Sequence, residues 1–206
     1  SAYVLPELLA RFTAQHPQVR LVVRTGHSEE IVEAVVRGEV AIGIGRELRD
    51  ARVASTPLYA DELVLVARPD HPFAERGRID VNRLAEARLI FFDRTSSYYG
   101  LTNALLRTAG VNPQGIMELD NIEAAKRMVE RGLGVALLPG TAVADSLRVG
   151  SLVRIALLAA APIRRRIVAI ERPQAGPLGA AFAGFRDLLE RIPELIPGAR
   201  SVPRDE

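Results

Sequence analysis

Apolar residues along this chain alternate between helical and strand-like spacing. The first helix is indicated by apolar positions at helical spacing, namely Val4, Leu5, Leu8, Leu9 and Phe12, and this pattern stops at His16. Residues 19–25 alternate as in a strand. Ser28 then predicts the N-cap of a helix that ends at Gly38, and the apolar run 40–45 predicts a strand covered on both faces.

Further units of the same kind follow along the chain. Strands are predicted over residues 63–67, 89–92, 116–119, 135–138 and 152–155, with a last strand that ends at residue 170. Helices are predicted over residues 81–85, 98–109, 122–131 and 178–192. This alternation predicts an α/β fold with a mainly parallel sheet and helices on both of its sides.

The order of these elements predicts two lobes joined by two crossovers, near residues 68–71 and 162–164. Lobe I is predicted to comprise residues 1–68 and 164–206, and lobe II residues 69–163. Ligands of open α/β sheets lie beyond the carboxyl ends of the strands, so we expect a ligand cleft between the lobes.

Residues 119–139 are the most informative stretch of the chain. Asp120 and Asn121 open an amphipathic helix, Gly132 and Gly134 end it, and a short apolar strand runs to Pro139. This order places the positive end of a helix beside the end of a strand, where a small anion or polar ligand can be held. No group in the stretch is equipped for covalent chemistry, so we interpret it as half of a ligand-sensing cleft.

Three segments supply the candidate effector-binding residues. They follow the strand at residues 89–92, open the helix at residue 122, or lie in the glycine-bearing run 40–45. The candidates are Thr95, Ser96, Ser97, Asn121, Ile122, Gly43 and Ile44. Each has a structural alternative, since hydroxyl and amide side chains also cap helices and glycines also ease turns.

Composition excludes several classes of protein. The 206 residues are 48% hydrophobic and 25% charged, which is enough for a packed core and atypical of disorder. Net charge is +2, with the charges interspersed, so the run Arg164-Arg165-Arg166 is interpreted as solvated or lobe-bridging rather than as a DNA-binding surface. The chain has no cysteine, no apolar run long enough to span a bilayer and no signal-peptide pattern at its start. We expect a soluble, cytoplasmic piece of a protein.

Signatures of enzymes are missing from the sequence. The three histidines are scattered, and the Gly43-x-Gly45 pair lacks the third glycine of a dinucleotide fingerprint. We therefore expect no catalytic residues, no metal site and no cofactor.

Several stretches together resemble the effector-binding domain of LysR-type transcriptional regulators. They are residues 3–12 with His16-Pro17, residues 29–45, residues 61–72 and residues 121–139. The resemblance implies the two-lobed fold of type 2 periplasmic binding proteins. It also implies dimers, and tetramers in the full-length protein. In the family, polar residues at the positions of Thr95, Ser96 and Asn121 touch the effector.

The chain lacks two parts that the resemblance implies. One is the N-terminal winged helix-turn-helix domain with its linker helix, through which such a regulator binds DNA. The other is the strand, with a Ser/Thr-bearing loop, that precedes the first helix of the effector domain.

The leading hypothesis is a sensor in which a small metabolite, with anions among the candidates, binds between the lobes and transmits lobe closure to dimer geometry and DNA binding. A solute-binding protein of a transporter is the alternative, and an enzyme on the same fold comes third.

Overall fold

A computed structural model describes residues 3–94, 96–173 and 179–202, with the side chain of Ser97 outside the description. The helices are α1 Leu5–Gln15, α2 Ser28–Val36, α3 Pro72–Arg76, α4 Ser97–Thr108, α5 Ile122–Glu130, α6 Gly140–Val149, α7 Ala180–Glu190 and α8 Ile192–Leu195, with a 3-10 helix at Val81–Glu86. The strands are β1 Gly43–Arg46, β2 Ala54–Ala67, β3 Arg78–Asp80, β4 Arg88–Phe92, β5 Gly115–Leu119, β6 Val135–Pro139, β7 Val153–Leu158, β8 Ile163–Glu171 and β9 Ala199–Arg200.

The chain divides into two compact units. Unit 1 comprises Ser1–Asp61 and Arg165–Glu206, and unit 2 comprises Glu62–Arg164. The chain therefore enters unit 2 within β2 and leaves it within β8.

Unit 2 is built on a sheet of mixed direction. Strand β4 pairs in parallel with both β5 and β6, and β2 pairs antiparallel with β6 and with β7. Strand β3 adds to β7 in parallel. The prediction of a mainly parallel sheet is therefore wrong in part, because the strands next to β2 run against it.

One hydrophobic core fills unit 2. All five residues of β6 are buried, and strands β2 and β4 contribute Leu65 and Leu89, each almost fully buried. Helix α5 adds Ala125 and Val129, which lie one helical turn apart and so project from the same face. The amphipathic pattern read from the sequence thus packs its apolar stripe onto this core.

Unit 1 has two smaller cores. One joins α1, α7 and α8 around Leu8, Leu189 and Ile192, and the other joins α2 to β8 around Val35 and Ile170. Strand β1 pairs antiparallel with β8, from Gly43 opposite Ile170 to Arg46 opposite Ile167.

Residues 19–27 form no strand in the structure, so the predicted strand over residues 19–25 is wrong. The backbone of residues 20–26 makes no hydrogen bond to the rest of the described chain. Leu21, Val22 and Val23 are exposed, Val22 to 72%. The segment borders an apolar groove of about 440 Å³ in unit 1, whose other walls include Leu9 and Phe185. An alternating sequence forms a stable strand only where a neighbour supplies ladder hydrogen bonds, and here none does.

Two helix starts also differ from the sequence interpretation. Helix α2 begins at Ser28 itself, its N-cap is His27, and Glu30 accepts a hydrogen bond from the His27 backbone nitrogen at 2.8 Å. The Ser28 hydroxyl instead accepts from the Arg46 nitrogen at 3.2 Å. Helix α6 was not predicted, because it starts directly after Pro139 without a side-chain cap.

Candidate functional site

The pairing of β4 with β5 brings two predicted site segments together. The two strands run in parallel with Phe92 opposite Leu119, so both end at the same edge of unit 2. The Asp93 nitrogen donates to the Leu119 carbonyl oxygen at 3.1 Å, which continues the pairing one residue beyond β4. The loop before α4 and the loop before α5 therefore start side by side.

Ser96 is the N-cap of α4. Its hydroxyl oxygen accepts a hydrogen bond from the Tyr98 nitrogen at 3.2 Å, and its backbone nitrogen donates to the Asp93 carboxylate at 3.1 Å. Capping uses a lone pair of the hydroxyl and leaves its proton for another acceptor. Within the described residues that proton has no acceptor.

Asn121 caps α5 in the same way. Its side-chain oxygen accepts from the Ala124 nitrogen at 3.0 Å, and the side chain is otherwise exposed. The amide nitrogen keeps two donors that meet no acceptor in the described part of the chain. Ile122, the first residue of α5, instead packs its side chain against the core of unit 2.

The edge formed by these two loops carries acidic as well as polar groups. Asp93 is half-buried and faces the first turn of α4 through its bond to Ser96, and Asp120 is exposed. A carboxylate at a helix N-terminus offsets the positive end of the helix dipole. Among the described residues, the Ser96 hydroxyl and the Asn121 amide are two side-chain groups at this edge that keep unused donors.

The two tyrosines after Ser96 pack on the sheet. The Tyr98 ring lies 5.3 Å from that of Phe92, and the Tyr99 ring meets the Phe91 ring edge-on at 5.3 Å. Tyr98 is buried. Both residues thus have a packing role that fixes α4 on β4.

The remaining candidates from the sequence lie in unit 1 or outside the described residues. Gly43 and Ile44 belong to unit 1, in β1. A Cβ atom on Gly43 would come within 2.5 Å of the Ile31 side chain, so the close packing of α2 on β1 explains this glycine. Ile44 packs against a core of unit 1. Thr95 lies outside the described residues, as does the side chain of Ser97.

Sequence reasoning missed Lys126. Its side chain, 14% exposed, donates to Glu123 at 2.6 Å and to the Ala142 carbonyl oxygen at 3.4 Å, which ties α5 to α6 behind the Asn121 cap. Its one signal in the sequence is that it is the single lysine of an arginine-rich chain.

Strong electrostatic effects lie away from these two caps. Hydrogen bonds from Arg52 lower the pKa of Asp50 to about 2 on the surface of unit 1. Glu130 is half-buried, which by itself would raise the pKa of its carboxyl group. The hydrogen bonds from Ser146 and Ser151 and the ion pair with Arg127 have the larger effect, so the pKa is lowered. Both are structural ion pairs. In the described residues no group of histidines and carboxylates is arranged to hold a metal ion, and no helix is long and apolar enough to cross a bilayer.

Comparison with known proteins identifies what the chain resembles. A family model described as the LysR substrate binding domain matches residues 1–192. Among curated relatives, the HTH-type transcriptional regulator YeiE of Escherichia coli (strain K12) is 33% identical over 156 residues, which are 75% of this chain and 53% of YeiE. The chain thus spans about half the length of this relative.

Solved structures share the fold. The regulatory domain of CcmR from Synechocystis PCC6803 in complex with 2-PG has a TM-score of 0.77 at 22% identity, over 93% of this chain and 91% of that one. The effector binding domain of QuiR in complex with shikimate has a TM-score of 0.71 at 22% identity, over 93% and 90%. These likenesses confirm the predicted fold class, and the curated relatives give no support to the transporter alternative.

Proposed function

Because this chain belongs to the LysR substrate-binding domain family, we propose that it is the effector-sensing part of a longer transcriptional regulator. The observation that carries the proposal is the pair of capped helices in unit 2, whose N-termini lie at the shared end of β4 and β5. Both caps retain donors that a polar ligand can accept from.

We infer that the ligand is a small polar acid that accepts hydrogen bonds. The Ser96 hydroxyl and the Asn121 amide donate to carboxylate, phosphate or hydroxyl oxygens, and two amphipathic helices present them at one edge. The Asp93 carboxylate lies beside them, so ligand hydroxyls also find an acceptor. Shikimate, which QuiR binds, combines a carboxylate with hydroxyls, and CcmR binds 2-PG.

Ile122 and the unit 1 residues Gly43 and Ile44 remain proposed ligand neighbours, as do Thr95 and Ser97. Their place in the site rests on the sequence pattern, since Gly43 and Ile122 each have a packing role as well. The predicted cleft between lobes stays a prediction.

Binding regulates only through a difference in affinity between two conformations of the protein. We propose that effector binding selects one conformation of this chain and changes the geometry of a homodimer or tetramer. DNA would be contacted through a winged helix-turn-helix domain that the given sequence does not include. Such a regulator acts in the cytoplasm and catalyses no reaction.

The test uses isothermal titration calorimetry on a ligand first found by thermal shift among small acids, starting with shikimate and 2-PG. Asn121→Asp keeps the oxygen that caps α5, removes the amide donors and adds a negative charge. For an anionic ligand we expect affinity to fall by about tenfold or more. Ser96→Ala removes one hydroxyl donor and is expected to weaken binding by about 0.5–1.5 kcal/mol.

Asn82→Asp is the matched control, because Asn82 is an exposed asparagine of unit 2 in the 3-10 helix. It makes the same change of charge away from β4 and β5 and is expected to leave affinity unchanged. Equal affinity in wild type, Asn121→Asp and Ser96→Ala would remove both caps from the site and contradict the proposal.

A further inference from the structure

A small cavity lies in unit 2 away from the two capped helices. Its volume is about 140 Å³, and it is formed by the first residues of β2 in this unit, by β7 and by the connection from β7 to β8. Apolar walls come from Leu63, Leu65, Ile155, Leu157, Pro162 and Ile163. An apolar cavity of about 150 Å³ is large enough to hold benzene, so the space fits one compact hydrocarbon group.

An ion cluster borders this apolar space. The Glu62 side chain is only 9% exposed, and its carboxylate contacts Arg154 at 2.6 Å and Arg164 at 3.6 Å. Glu62 and Arg154 both line the cavity. Two guanidinium groups against one carboxylate leave a net positive charge beside an apolar pocket.

The two arginines have unused hydrogen-bonding capacity. A guanidinium group carries five N–H donors, and a carboxylate cannot take all of those that two arginines offer. Beyond their contacts with Glu62, the side chains of Arg154 and Arg164 donate no hydrogen bond within the part of the chain that the structure describes. A second carboxylate would find donors here without displacing Glu62.

The connection that covers the cavity has an unusual backbone. Ala159 lies in the left-handed region with φ of 58°, the one residue other than glycine to do so in the described residues. A side chain makes that conformation unfavourable, and such residues occur at ligand sites more often than elsewhere. The next three residues, Ala160, Ala161 and Pro162, all line the cavity.

We propose that this cavity is a second binding site, which takes a small monocarboxylate with a compact apolar body. The body fills the space between β2 and β7, and the carboxylate accepts hydrogen bonds from Arg154, which lines the cavity, while Arg164 adds positive charge through its contact with Glu62. Charge complementarity selects an anion, and the small volume excludes large ligands. The bound acid would contact both segments by which the chain enters and leaves unit 2, since the cavity is lined by Glu62, the first residue of the unit, and by Ile163, next to its last.

The experiment is an NMR titration of the ¹⁵N-labelled chain with cyclopentanecarboxylate, and with cyclopentanecarboxamide as the uncharged probe of the same shape. We expect the acid to shift the amide signals of residues 62–65 and 154–163. The affinity of the amide is expected to be at least about tenfold lower than that of the acid, because the amide loses the charge-assisted hydrogen bonds.

Two variants address the two halves of the site. Arg154→Gln removes a guanidinium and is expected to weaken the acid about tenfold. Ala161→Leu places a larger side chain at an exposed position on the cavity wall and is expected to abolish the shifts while the fold stays intact. Arg148→Gln is the control, since Arg148 is an exposed arginine of α6 that pairs with Asp145 and does not line the cavity.

Some outcomes overturn the proposal. One is equal binding of the acid and the amide, and another is unchanged affinity in both Arg154→Gln and Ala161→Leu. Shifts confined to residues near Ser96 and Asn121 would also overturn it, because the acid would then occupy only the proposed effector site.

Discussion

At the scale of single residues, the packing around Gly134 leaves no room for even one additional carbon atom. Gly134 is buried just before β6, and a Cβ atom added there would lie 2.4 Å from the Arg88 carbonyl oxygen. A backbone atom cannot move aside as a flexible side chain can. The close approach of two backbone segments therefore explains a glycine that the sequence alone marks only as the end of a helical pattern.

We expect Gly134→Ala to lower the free energy of unfolding by about 1–3 kcal/mol, the usual cost of overpacking. Urea denaturation monitored by circular dichroism measures it. Gly100→Ala is the control, because Gly100 lies within α4 and, among the described residues, no atom beyond its chain neighbours and the helix backbone lies within 4 Å of its absent Cβ, so alanine there should stabilise by about 0.5–1 kcal/mol. Equal effects of the two substitutions would show that the contact with Arg88 is unimportant.

His71 links stability to pH. Its Nδ1 atom accepts from the Phe73 nitrogen at 3.1 Å and so caps α3, and partial burial lowers its pKa below the ordinary 6.5. A lowered pKa means that the unfolded chain binds the proton more readily. The contribution of His71 is therefore complete above about pH 6.5 and is lost as pH falls from there towards the folded-state pKa.

His71→Asn keeps a side-chain acceptor at this cap and cannot titrate. We expect wild type to lose more stability than His71→Asn between pH 7.5 and pH 5, because only wild type must protonate its cap. Thermal unfolding of both proteins at the two pH values checks this. Parallel losses in the two proteins would mean that other groups account for the whole pH dependence.

At the scale of elements, caps fix where α4 and α5 begin. Asn121→Ala removes the cap of α5 and is expected to cost about 1 kcal/mol of stability, whereas Asn121→Asp keeps an acceptor and should cost little. Denaturation midpoints of the two variants measure the difference without any ligand. If both variants are equally stable, the bond from Ala124 contributes nothing to the start of α5.

Patterns with a local cause were readable from the sequence. The α5 helix has an Asn cap, an apolar stripe and terminal glycines, all within one short window, and its predicted and observed limits differ by one residue. Helix α6 has none of these signals, because it follows Pro139 and starts with Gly140. Residues 19–25 show the opposite failure, in which a good strand pattern finds no partner strand among the residues that the structure describes.

Some features of the candidate site could likewise be predicted from the sequence, and others could not. Ser96 and Asn121 could be named as candidates from the sequence, since hydroxyl and amide residues between a strand and a helix are visible in one window, and the structure shows both as helix caps. The pairing of Asp93 with Leu119 and the tie from Lys126 to α6 depend on how strands and helices pack. No local pattern reports such contacts.

At the scale of the whole molecule, the limits of unit 2 matter. Strand β2 supplies its core with Leu65, Val66 and Ala67, all almost fully buried, and it precedes the predicted lobe limit at residue 69. We therefore expect an excised chain of residues 62–164 to unfold cooperatively, because its core is complete.

A chain of residues 69–163 is the matched comparison. It lacks those three buried residues and the β2 ladder with β6, so it should show no cooperative transition. Differential scanning calorimetry of the two pieces distinguishes them. A sharp transition in the shorter piece would show that β2 is dispensable for unit 2.

The backbone of residues 20–26, which is unpaired within the described residues, is expected to favour association between copies of this chain in concentrated solution. An extended run with open hydrogen-bonding groups and exposed Leu21, Val22 and Val23 is a template on which another molecule can form a strand. Arg24 is paired with Glu39, so within the described residues Arg20 is the one charge of the run without an ion-pair partner to keep copies apart. A lysine in place of the exposed Val22 is expected to reduce such association.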